Sequence, residues 1–218
     1  MGGACVALAA CGGGGGNGGD AGSNDKIVLF DGASFDEWKP LEGDGPVPWQ
    51  LVGDGSMLVV TGAGNVVSRR TFESVFVHVE YKTPMLAASV TGQDRGNSGV
   101  YLKGSYEMQV LDSFGRPPEI DGAGSLYGIQ APLVNSSFAE EIWNSYEIEF
   151  TAPSYDGGGN KLTNARVTAH LNGALVQDET EAPTSTDPAR PEAAGPGPLM
   201  LQEHQNAVAF RNIWVIPR

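Results

Sequence analysis

Short runs in which apolar and polar residues alternate are the feature that most restricts how this chain can fold. In residues 72–82, three valines and a tyrosine occupy positions 75, 77, 79 and 81, with Phe, His, Glu and Lys between them. Because successive side chains point to opposite faces of a strand, this run predicts a central β-strand. No segment repeats its apolar residues with the helical period for more than a turn or two. The chain is therefore predicted to be all-β.

Several further runs of this kind are separated by Gly, Pro, Asn and Asp. The strongest hairpin signal is Asn172-Gly173, which joins the predicted strands 165–171 and 174–177. The other predicted strands are residues 27–30, 49–52, 56–61, 66–69, 100–103, 106–111, 143–151, 199–204 and 208–216. Many short strands favour an antiparallel β-sandwich of the jelly-roll type. An up-and-down barrel is the alternative, but the long loops 113–142 and 183–198 suggest crossovers between two sheets.

The hairpin within residues 96–115 carries an unusual density of polar side chains. Its two runs are joined at Gly104-Ser105, and alternation places Glu107, Gln109 and Leu111 on one face and Tyr106, Met108 and Val110 on the other. Asn97, Ser98 and Asp112 belong to the same hairpin. A solvated outer face would explain this pattern equally well unless other polar residues converge on it.

The last two predicted strands supply a second polar group. In residues 199–204, Met200, Gln202 and His204 share a face. In residues 208–216, alternation groups Arg211 with Ile213 and Val215, and Phe210 with Asn212 and Trp214. A Gln, a His and an Arg on adjacent strands are unusual for a pure core, although a single His is often structural. His78 and His170 are expected to be structural.

Length and charge exclude several classes of protein. A chain of 218 residues is long enough for one sizeable core, and its net charge of −13 with no cluster of Lys and Arg argues against nucleic acid as a partner. The sequence contains no phosphate-binding glycine loop, nucleophile elbow, paired-cysteine zinc motif or His-Glu-x-x-His.

The amino terminus, residues 1–25, is predicted to be separate from the folded domain, residues 26–218. Leu8-Ala9-Ala10-Cys11 resembles the end of a bacterial lipoprotein signal peptide, although a basic segment before it is lacking. Residues 12–25 are Gly, Asn, Asp, Ser and Ala, which favours a flexible tether. The expectation is a protein of the bacterial cell envelope, held to the membrane only by a lipid on Cys11; a disordered leader is the alternative.

Eight ordered motifs make the resemblance to a known family specific. They are Phe30-Asp31-Gly32 with Trp38, Asn97-Ser98-Gly99, Tyr106-Glu107-x-Gln109-x-x-Asp112, Tyr127-Gly128, Trp143-Asn144 with Tyr146, Leu171-Asn172-Gly173, Gly197-Pro198-x-x-Leu201-Gln202-x-His204 and Phe210-Arg211-Asn212-Ile213. Residues 26–218 thus resemble the 3-keto-disaccharide hydrolase family. The resemblance implies a concanavalin-like jelly roll that acts on glycosides oxidised to a ketone at carbon 3. Residues 138–142 depart from the family pattern.

The chemistry that the resemblance implies requires a base, an acid and donors for an enolate oxygen. A ketone acidifies the neighbouring C–H bond, so that a base can start an elimination of the glycosidic oxygen, and water then adds back. Glu107 and His204 are the expected base and acid, in an order left open. The expected substrate-binding residues are Asn97, Gln109, Asp112, Tyr127, Trp143, Gln202 and Arg211. Asp112 is also the one position at which a divalent cation is considered.

Two alternatives stay open at the level of sequence. A lectin-like module would hold a glycan on aromatic platforms, for which the chain offers Trp38, Trp49, Tyr101, Tyr127 and Trp143. An ordinary glycosidase would need a second carboxylate facing Glu107 across the glycosidic bond.

Overall fold

Fifteen β-strands and one short 3₁₀ turn, Gly92–Asp94, make up the secondary structure of the computed structural model, which describes residue 1 and residues 26–218. The strands are β1 Ile27–Phe30, β2 Trp38–Pro40, β3 Gln50–Leu51, β4 Met57–Leu58, β5 Val66–Phe72, β6 Val75–Lys82, β7 Ser98–Leu102, β8 Tyr106–Val110, β9 Asn144–Thr151, β10 Ser154–Tyr155, β11 Lys161–Thr163, β12 Ala165–Leu171, β13 Ala174–Ala182, β14 Gly197–Leu201 and β15 Ala209–Pro217. Within these residues no helix is long and apolar enough to cross a membrane. The expected lipidation residue, Cys11, and the expected tether lie outside the described residues.

The strands form two large antiparallel sheets and a small hairpin. The eight-stranded sheet has the order β13-β12-β9-β6-β15-β4-β3, with β1 also paired to β15. The five-stranded sheet has the order β2-β5-β14-β7-β8, and β10 pairs only with β11. Strands that are distant in sequence lie side by side, as a jelly-roll sandwich requires. The predicted all-β jelly roll is confirmed.

The core lies between the two sheets and is built by the alternation seen in the sequence. On β6, Val75, Val77, Val79 and Tyr81 are all buried, as predicted for a central strand. From the five-stranded sheet, Val100, Leu102, Tyr106, Met108 and Val110 join the same core cluster. The other face of β7 and β8 therefore points away from the core, which puts Glu107 and Gln109 on the outer side of the five-stranded sheet.

Several predicted strand bounds are wrong in ways that matter for the site. The run 72–82 is split by Glu73 and Ser74, so that its first residue ends β5 and the rest forms β6. Strand β13 continues to Ala182, whereas β14 ends at Leu201. Gln202 and His204 consequently lie in the segment that follows β14.

A bulge in β15 reverses the predicted faces of this strand. Asn212 has a φ of 46°, and the pairing of β15 with β6 is interrupted between Arg211 and Trp214. Because two consecutive residues occupy the bulge, Phe210 and Ile213 both point into the core. Arg211 and Asn212 both remain on the outer side of the eight-stranded sheet. The expectation that Arg211 shares a face with Ile213 is therefore wrong.

Candidate active site

A cavity of about 280 Å³ opens on the outer face of the five-stranded sheet, next to β7 and β8. Two loops help to wall it, the β8–β9 loop, residues 111–143, and the β13–β14 loop, residues 183–196. Its lining residues are Gln93, Asn97, Tyr101, Glu107, Gln109, Tyr127, Thr186, Asp187, Pro188, Gln202 and His204. Six of the nine residues predicted from the sequence for a sugar site are among them: Glu107, His204, Asn97, Gln109, Tyr127 and Gln202.

Glu107 is the buried acid of the cavity, with only 4% of its surface exposed. The Tyr101 hydroxyl donates a hydrogen bond of 2.7 Å to Glu107 Oε2, and Gln202 Nε2 donates one of 3.0 Å to the same Tyr101 oxygen. Burial raises the pKa of Glu107 to about 7, although the Tyr101 hydrogen bond lowers it and the Asp187 charge adds to the rise. A carboxyl group with this pKa can both accept and release a proton near neutral pH.

The backbone of Glu107 is fixed by both loops. In the antiparallel pairing of β7 with β8, Glu107 and Gln109 direct their N–H and C=O groups away from β7, toward the free edge of the sheet. Glu107 N donates to Thr186 Oγ1 at 2.9 Å, and Tyr127 N donates to the Glu107 carbonyl at 3.1 Å. The edge of β8 is thus covered by the loops that carry Tyr127 and Asp187 into the cavity.

Gly99 makes room for the Glu107 carboxyl group. The two strands place Gly99 opposite Gln109 and two residues from Tyr101, on the face that carries the cavity. A Cβ atom at position 99 would lie well inside van der Waals contact with Glu107 Oε1, and 2.9 Å from the Tyr101 ring. Glycine is therefore required here for a close approach rather than for an unusual backbone angle.

Gly99→Ala is expected to displace the Glu107 carboxylate and to weaken its hydrogen bond with Tyr101. Both groups are buried and hydrogen-bonded to each other, so displacing them weakens that bond and disturbs their packing, and we expect unfolding to be easier by about 1–3 kcal/mol. Chemical denaturation would measure the loss. Gly173→Ala is not a suitable control because of its positive φ, whereas Gly45→Ala, where an added Cβ meets no atom within 4 Å, is. A Gly99→Ala variant as stable as the Gly45→Ala variant would contradict this account.

Amide groups form a second wall of the cavity. Gln93 Oε1 accepts hydrogen bonds from Asn97 Nδ2 at 2.9 Å and from Gln109 Nε2 at 3.0 Å, and Gln93 Nε2 donates to the Asp121 carbonyl at 2.8 Å. These bonds fix the orientation of the Gln109 amide. The buried Oε1 atoms of Gln109 and Gln202 have no hydrogen-bond partner in the part of the chain that the structure describes. Both atoms are closed to solvent, so a ligand hydroxyl would pair with either of them only after its amide group turns toward the cavity.

His204 and Tyr127 lie at the more open part of the site. His204 is exposed, and its ring makes no hydrogen bond to any described residue, so that it can turn toward a ligand. Tyr127 is half-buried, and burial together with the charges of Glu107 and Asp121 raises the pKa of its hydroxyl. Tyr127 therefore keeps its proton and remains a hydrogen-bond donor.

Asp112 is not part of this cavity. Strand β8 ends at Val110, and Leu111 then packs into the main core, so that the predicted alternation does not extend to residues 111 and 112. The Asp112 carboxylate is buried and accepts a 2.5 Å hydrogen bond from Arg95 Nε, and Arg95 Nη2 pairs with Glu140 Oε2 at 3.2 Å. Across residues 26–218, the structure holds no group of three or more His, Cys, Asp and Glu side chains placed to bind a metal ion.

Arg211 and Trp143 also lie elsewhere, on the outer side of the eight-stranded sheet. The Arg211 guanidinium stacks 4.0 Å from the centre of the Trp143 ring, and Arg211 Nε donates a 2.6 Å hydrogen bond to Glu80 Oε2. The core separates this face from the cavity. The two residues contact each other, but the structure does not bring them to Glu107.

The predicted aromatic platforms do not assemble into one surface. Trp38 and Trp49 are only 1% and 4% exposed, and their indole N–H groups donate to the carbonyls of Leu29 and Gly64. Both are core residues. Tyr101 is buried against Glu107, so that Tyr127 is the one half-exposed aromatic residue of that set in the cavity.

The sequence analysis missed five residues of the cavity: Gln93, Tyr101 as a polar partner, Thr186, Asp187 and Pro188. Gln93 lies on the 3₁₀ turn before β7 and carries no recognisable local pattern. The β13–β14 loop was recognised only as a long Pro-rich loop, and its length was the available signal that it has a role.

The fold is that of a jelly-roll domain, and the family that it matches and a similar solved structure make it a domain of the carbohydrate-active class. The chain belongs to the family of 3-keto-alpha-glucoside-1,2-lyase-like domains, whose model matches residues 25–216. The resemblance read from the sequence motifs is thereby confirmed.

Solved structures agree with this assignment. A chain from Parabacteroides distasonis ATCC 8503, described as a candidate glycosyl hydrolase, is 34% identical, with a TM-score of 0.80 over 89% of this chain and 84% of that one. A second such chain from the same organism is 19% identical, with a TM-score of 0.64 over 88% of this chain and 94% of that one, and supports the fold alone. No match was found among curated proteins.

Proposed function

We propose that this protein cleaves glycosides whose sugar ring carries a ketone at carbon 3, and that Glu107 starts the reaction as a base. The observation that carries the proposal is the Glu107 carboxyl group, buried in a small polar cavity with its pKa raised to about 7. General bases work best when their pKa lies near the working pH. The alternative order, with His204 as the base, has less support because His204 is exposed.

The proposed reaction is an elimination followed by hydration. Glu107 takes the proton from carbon 2, and the electron pair of that C–H bond passes into the ketone to give an enolate. The enolate returns its electron pair to form a double bond between carbons 1 and 2, while the bond from carbon 1 to the glycosidic oxygen breaks. His204 supplies the proton to that oxygen. Addition of water across the double bond, with OH at carbon 1 and H at carbon 2, completes net hydrolysis.

The cavity offers acceptors for the hydroxyl groups of such a substrate and a donor for its ketone oxygen. The Gln109 and Gln202 oxygens are acceptors, so they can bind sugar hydroxyls but not a ketone oxygen. Tyr127 keeps its hydroxyl proton and is the available donor for the enolate oxygen. The cavity volume of about 280 Å³ lies at the small end of ligand pockets, which span about 300–1,000 Å³. This favours one sugar ring as the enclosed part.

A chromogenic substrate tests the proposal directly. The protein would be incubated with 4-nitrophenyl 3-keto-glucoside and, separately, with the unoxidised 4-nitrophenyl glucoside, in both anomers. We expect nitrophenol release from the ketone alone. Binding of the unoxidised sugar without release from either compound would instead support a lectin-like module.

An ordinary two-carboxylate glycosidase is the second candidate, because Asp187 lines the same cavity as Glu107. Such an enzyme protonates and displaces the glycosidic oxygen without any need for a ketone. Nitrophenol release from the unoxidised glucoside at a comparable rate would favour this candidate.

His204→Ala is expected to slow the reaction in a way that depends on the leaving group. Alkyl and sugar leaving groups need a proton, and loss of a general acid typically costs about a hundredfold or more. Nitrophenolate leaves without one, so turnover of the nitrophenyl substrate should change much less. Turnover of a 3-keto-disaccharide and of the nitrophenyl compound would be compared in the same variant, with His170→Ala, a partly buried histidine on the outer side of the eight-stranded sheet, as control. Equal losses on both substrates would remove the assignment of His204 as the acid.

A further inference from the structure

Asp187 is a carboxylate of the cavity for which the proposed reaction has no role. The residue before it, Thr186, is tied to the edge of β8: Thr186 N donates to the Ser105 carbonyl at 3.0 Å, and Thr186 Oγ1 accepts from Glu107 N at 2.9 Å. Asp187 is therefore carried by a segment that is bonded directly to the backbone of Glu107.

The Asp187 side chain is itself held in place. Asp187 Oδ1 accepts a hydrogen bond from Ala189 N at 2.9 Å, and the Asp187 carbonyl accepts from Arg190 N at 2.9 Å, which closes a turn over residues 187–190. Asp187 Oδ2 lies 3.4 Å from Arg190 Nε. Both side chains remain partly exposed, so this ion pair is screened by water and leaves part of the Asp187 charge uncompensated.

Tyr101 contacts Glu107 from the neighbouring strand. Its hydroxyl donates a hydrogen bond of 2.7 Å to Glu107 Oε2 and accepts one of 3.0 Å from Gln202 Nε2. The proton of Tyr101 is therefore directed at the carboxylate. Burial and the Glu107 charge raise the pKa of Tyr101, and this hydroxyl keeps its proton throughout the physiological range. The hydrogen bond consequently favours the ionised form of Glu107.

We propose that Asp187 and Tyr101 are positioning residues that act on Glu107 in opposite directions, Asp187 through its charge and Tyr101 through its hydrogen bond. A like charge in a shared cavity favours the protonated form of an acid, whereas a donated hydrogen bond favours the ionised form. The balance sets how readily Glu107 takes a proton from the substrate. The effect of the two residues on the Glu107 carboxyl group does not depend on any reaction. Their effect on the rate rests on the proposed function.

The ionisable groups around the cavity come from four elements. They are Tyr101 on β7, Tyr127 and Asp121 on the β8–β9 loop, Asp187 and Arg190 on the β13–β14 loop, and His204 after β14. Of these, Tyr101 and Asp187 act directly on the Glu107 carboxyl group. The hydrogen bond from Tyr101 lowers the pKa of Glu107, and the charge of Asp187 raises it. Arg190 acts through Asp187.

The test is a measurement of the Glu107 titration in three variants of the full chain. Side-chain carboxyl carbons would be labelled with ¹³C, and Glu107→Gln would identify the Glu107 resonance. We expect its midpoint to fall in Asp187→Asn and to rise in Tyr101→Phe, each by about 1 pH unit. Arg190→Gln should raise it by a smaller amount, because the Asp187 charge is then unpaired. Asp178→Asn, on the exposed side of β13, is the control with the same charge change.

The pH dependence of the reaction rate supplies an independent test. The acid limb of the dependence of kcat/KM on pH should move with the midpoint of the Glu107 titration. It should move to lower pH in Asp187→Asn and to higher pH in Tyr101→Phe. Midpoints that stay within the error of the Asp178→Asn control, or that move in the same direction in both variants, would overturn the inference. Midpoints that move as expected in a protein that does not cleave a 3-keto-glucoside would retain the inference and remove the proposed function.

Discussion

Replacing Glu107 by Gln should abolish most turnover of a 3-keto-glucoside while the protein stays folded. The amide keeps the shape of the carboxyl group and can still accept the hydrogen bond from Tyr101, but it cannot take a proton from carbon 2. Loss of a general base typically costs about 10²- to 10⁴-fold in rate. Single-turnover kinetics with 4-nitrophenyl 3-keto-glucoside would measure it. Glu147→Gln, on the outer side of the eight-stranded sheet, makes the same chemical change far from the cavity and should keep full activity.

The same variant should be more stable than the parent protein above neutral pH. Burial raises the pKa of Glu107 from its ordinary 4.5 to about 7, so the folded chain binds more protons than the unfolded chain between these values. Its contribution to stability is then fully present below pH 4.5 and is lost as the pH rises through about 7. The deficit above that pH is of the order of 3 kcal/mol.

Glu107→Gln removes this deficit. Melting temperatures at pH 5 and pH 8 should therefore differ less in the variant than in the parent. A variant that keeps near-normal turnover, or that loses stability at pH 8, would contradict the assignment of Glu107 as a buried catalytic base.

Met108→Ala is the second substitution with a large expected effect, and here the effect is on stability. Met108 neighbours Glu107 on β8 but points to the other face, where it is completely buried in the main core. Shortening it leaves a cavity that its tightly packed neighbours can only partly fill, and comparable substitutions cost about 2–5 kcal/mol. Urea unfolding would give the change in the free energy of unfolding.

Met85 is the matched control for this substitution, since its side chain is 70% exposed. Met85→Ala should change the stability by less than about 0.5 kcal/mol. If Met108→Ala unfolds at the same urea concentration as Met85→Ala, the packing of β8 against the core is not as described.

The alternation of residues was sufficient to predict an all-β sandwich, most of its strands and the two faces of the central hairpin. Strand β12 has the predicted bounds, and Glu107 and Met108 point to opposite sides of β8 as expected. These features follow from a period of two residues, which is a property of the chain itself. The same rule fails at Arg211, because the bulge at Asn212 inserts one residue into the pattern, and nothing in the local sequence marks it.

The walls of the cavity depended on contacts that no local pattern contains. Asp187 lines the same cavity as Glu107 because Thr186 bonds to β8 across 79 residues of chain, and Gln93 joins Asn97 to Gln109 through a single amide oxygen. The motifs shared with the family did include Asn97, Glu107, Gln109, Tyr127, Gln202 and His204, and the structure brings these six to one cavity. Motifs also included Asp112 and Arg211, whose ion pairs with Arg95 and Glu80 serve other parts of the fold.

The loops on the free edge of β8 also bear on solubility. A bare edge strand offers unpaired N–H and C=O groups to any other extended chain and is a common starting point for aggregation. In this protein the Gln109 N–H and C=O groups bond to Ser125 and Gly124, and those of Glu107 bond to Thr186 and Tyr127. Sequence changes that adapt either loop to another substrate would therefore risk exposing the edge of β8 to pairing with other chains. The need to avoid aggregation thus limits how far the loops of this site can vary.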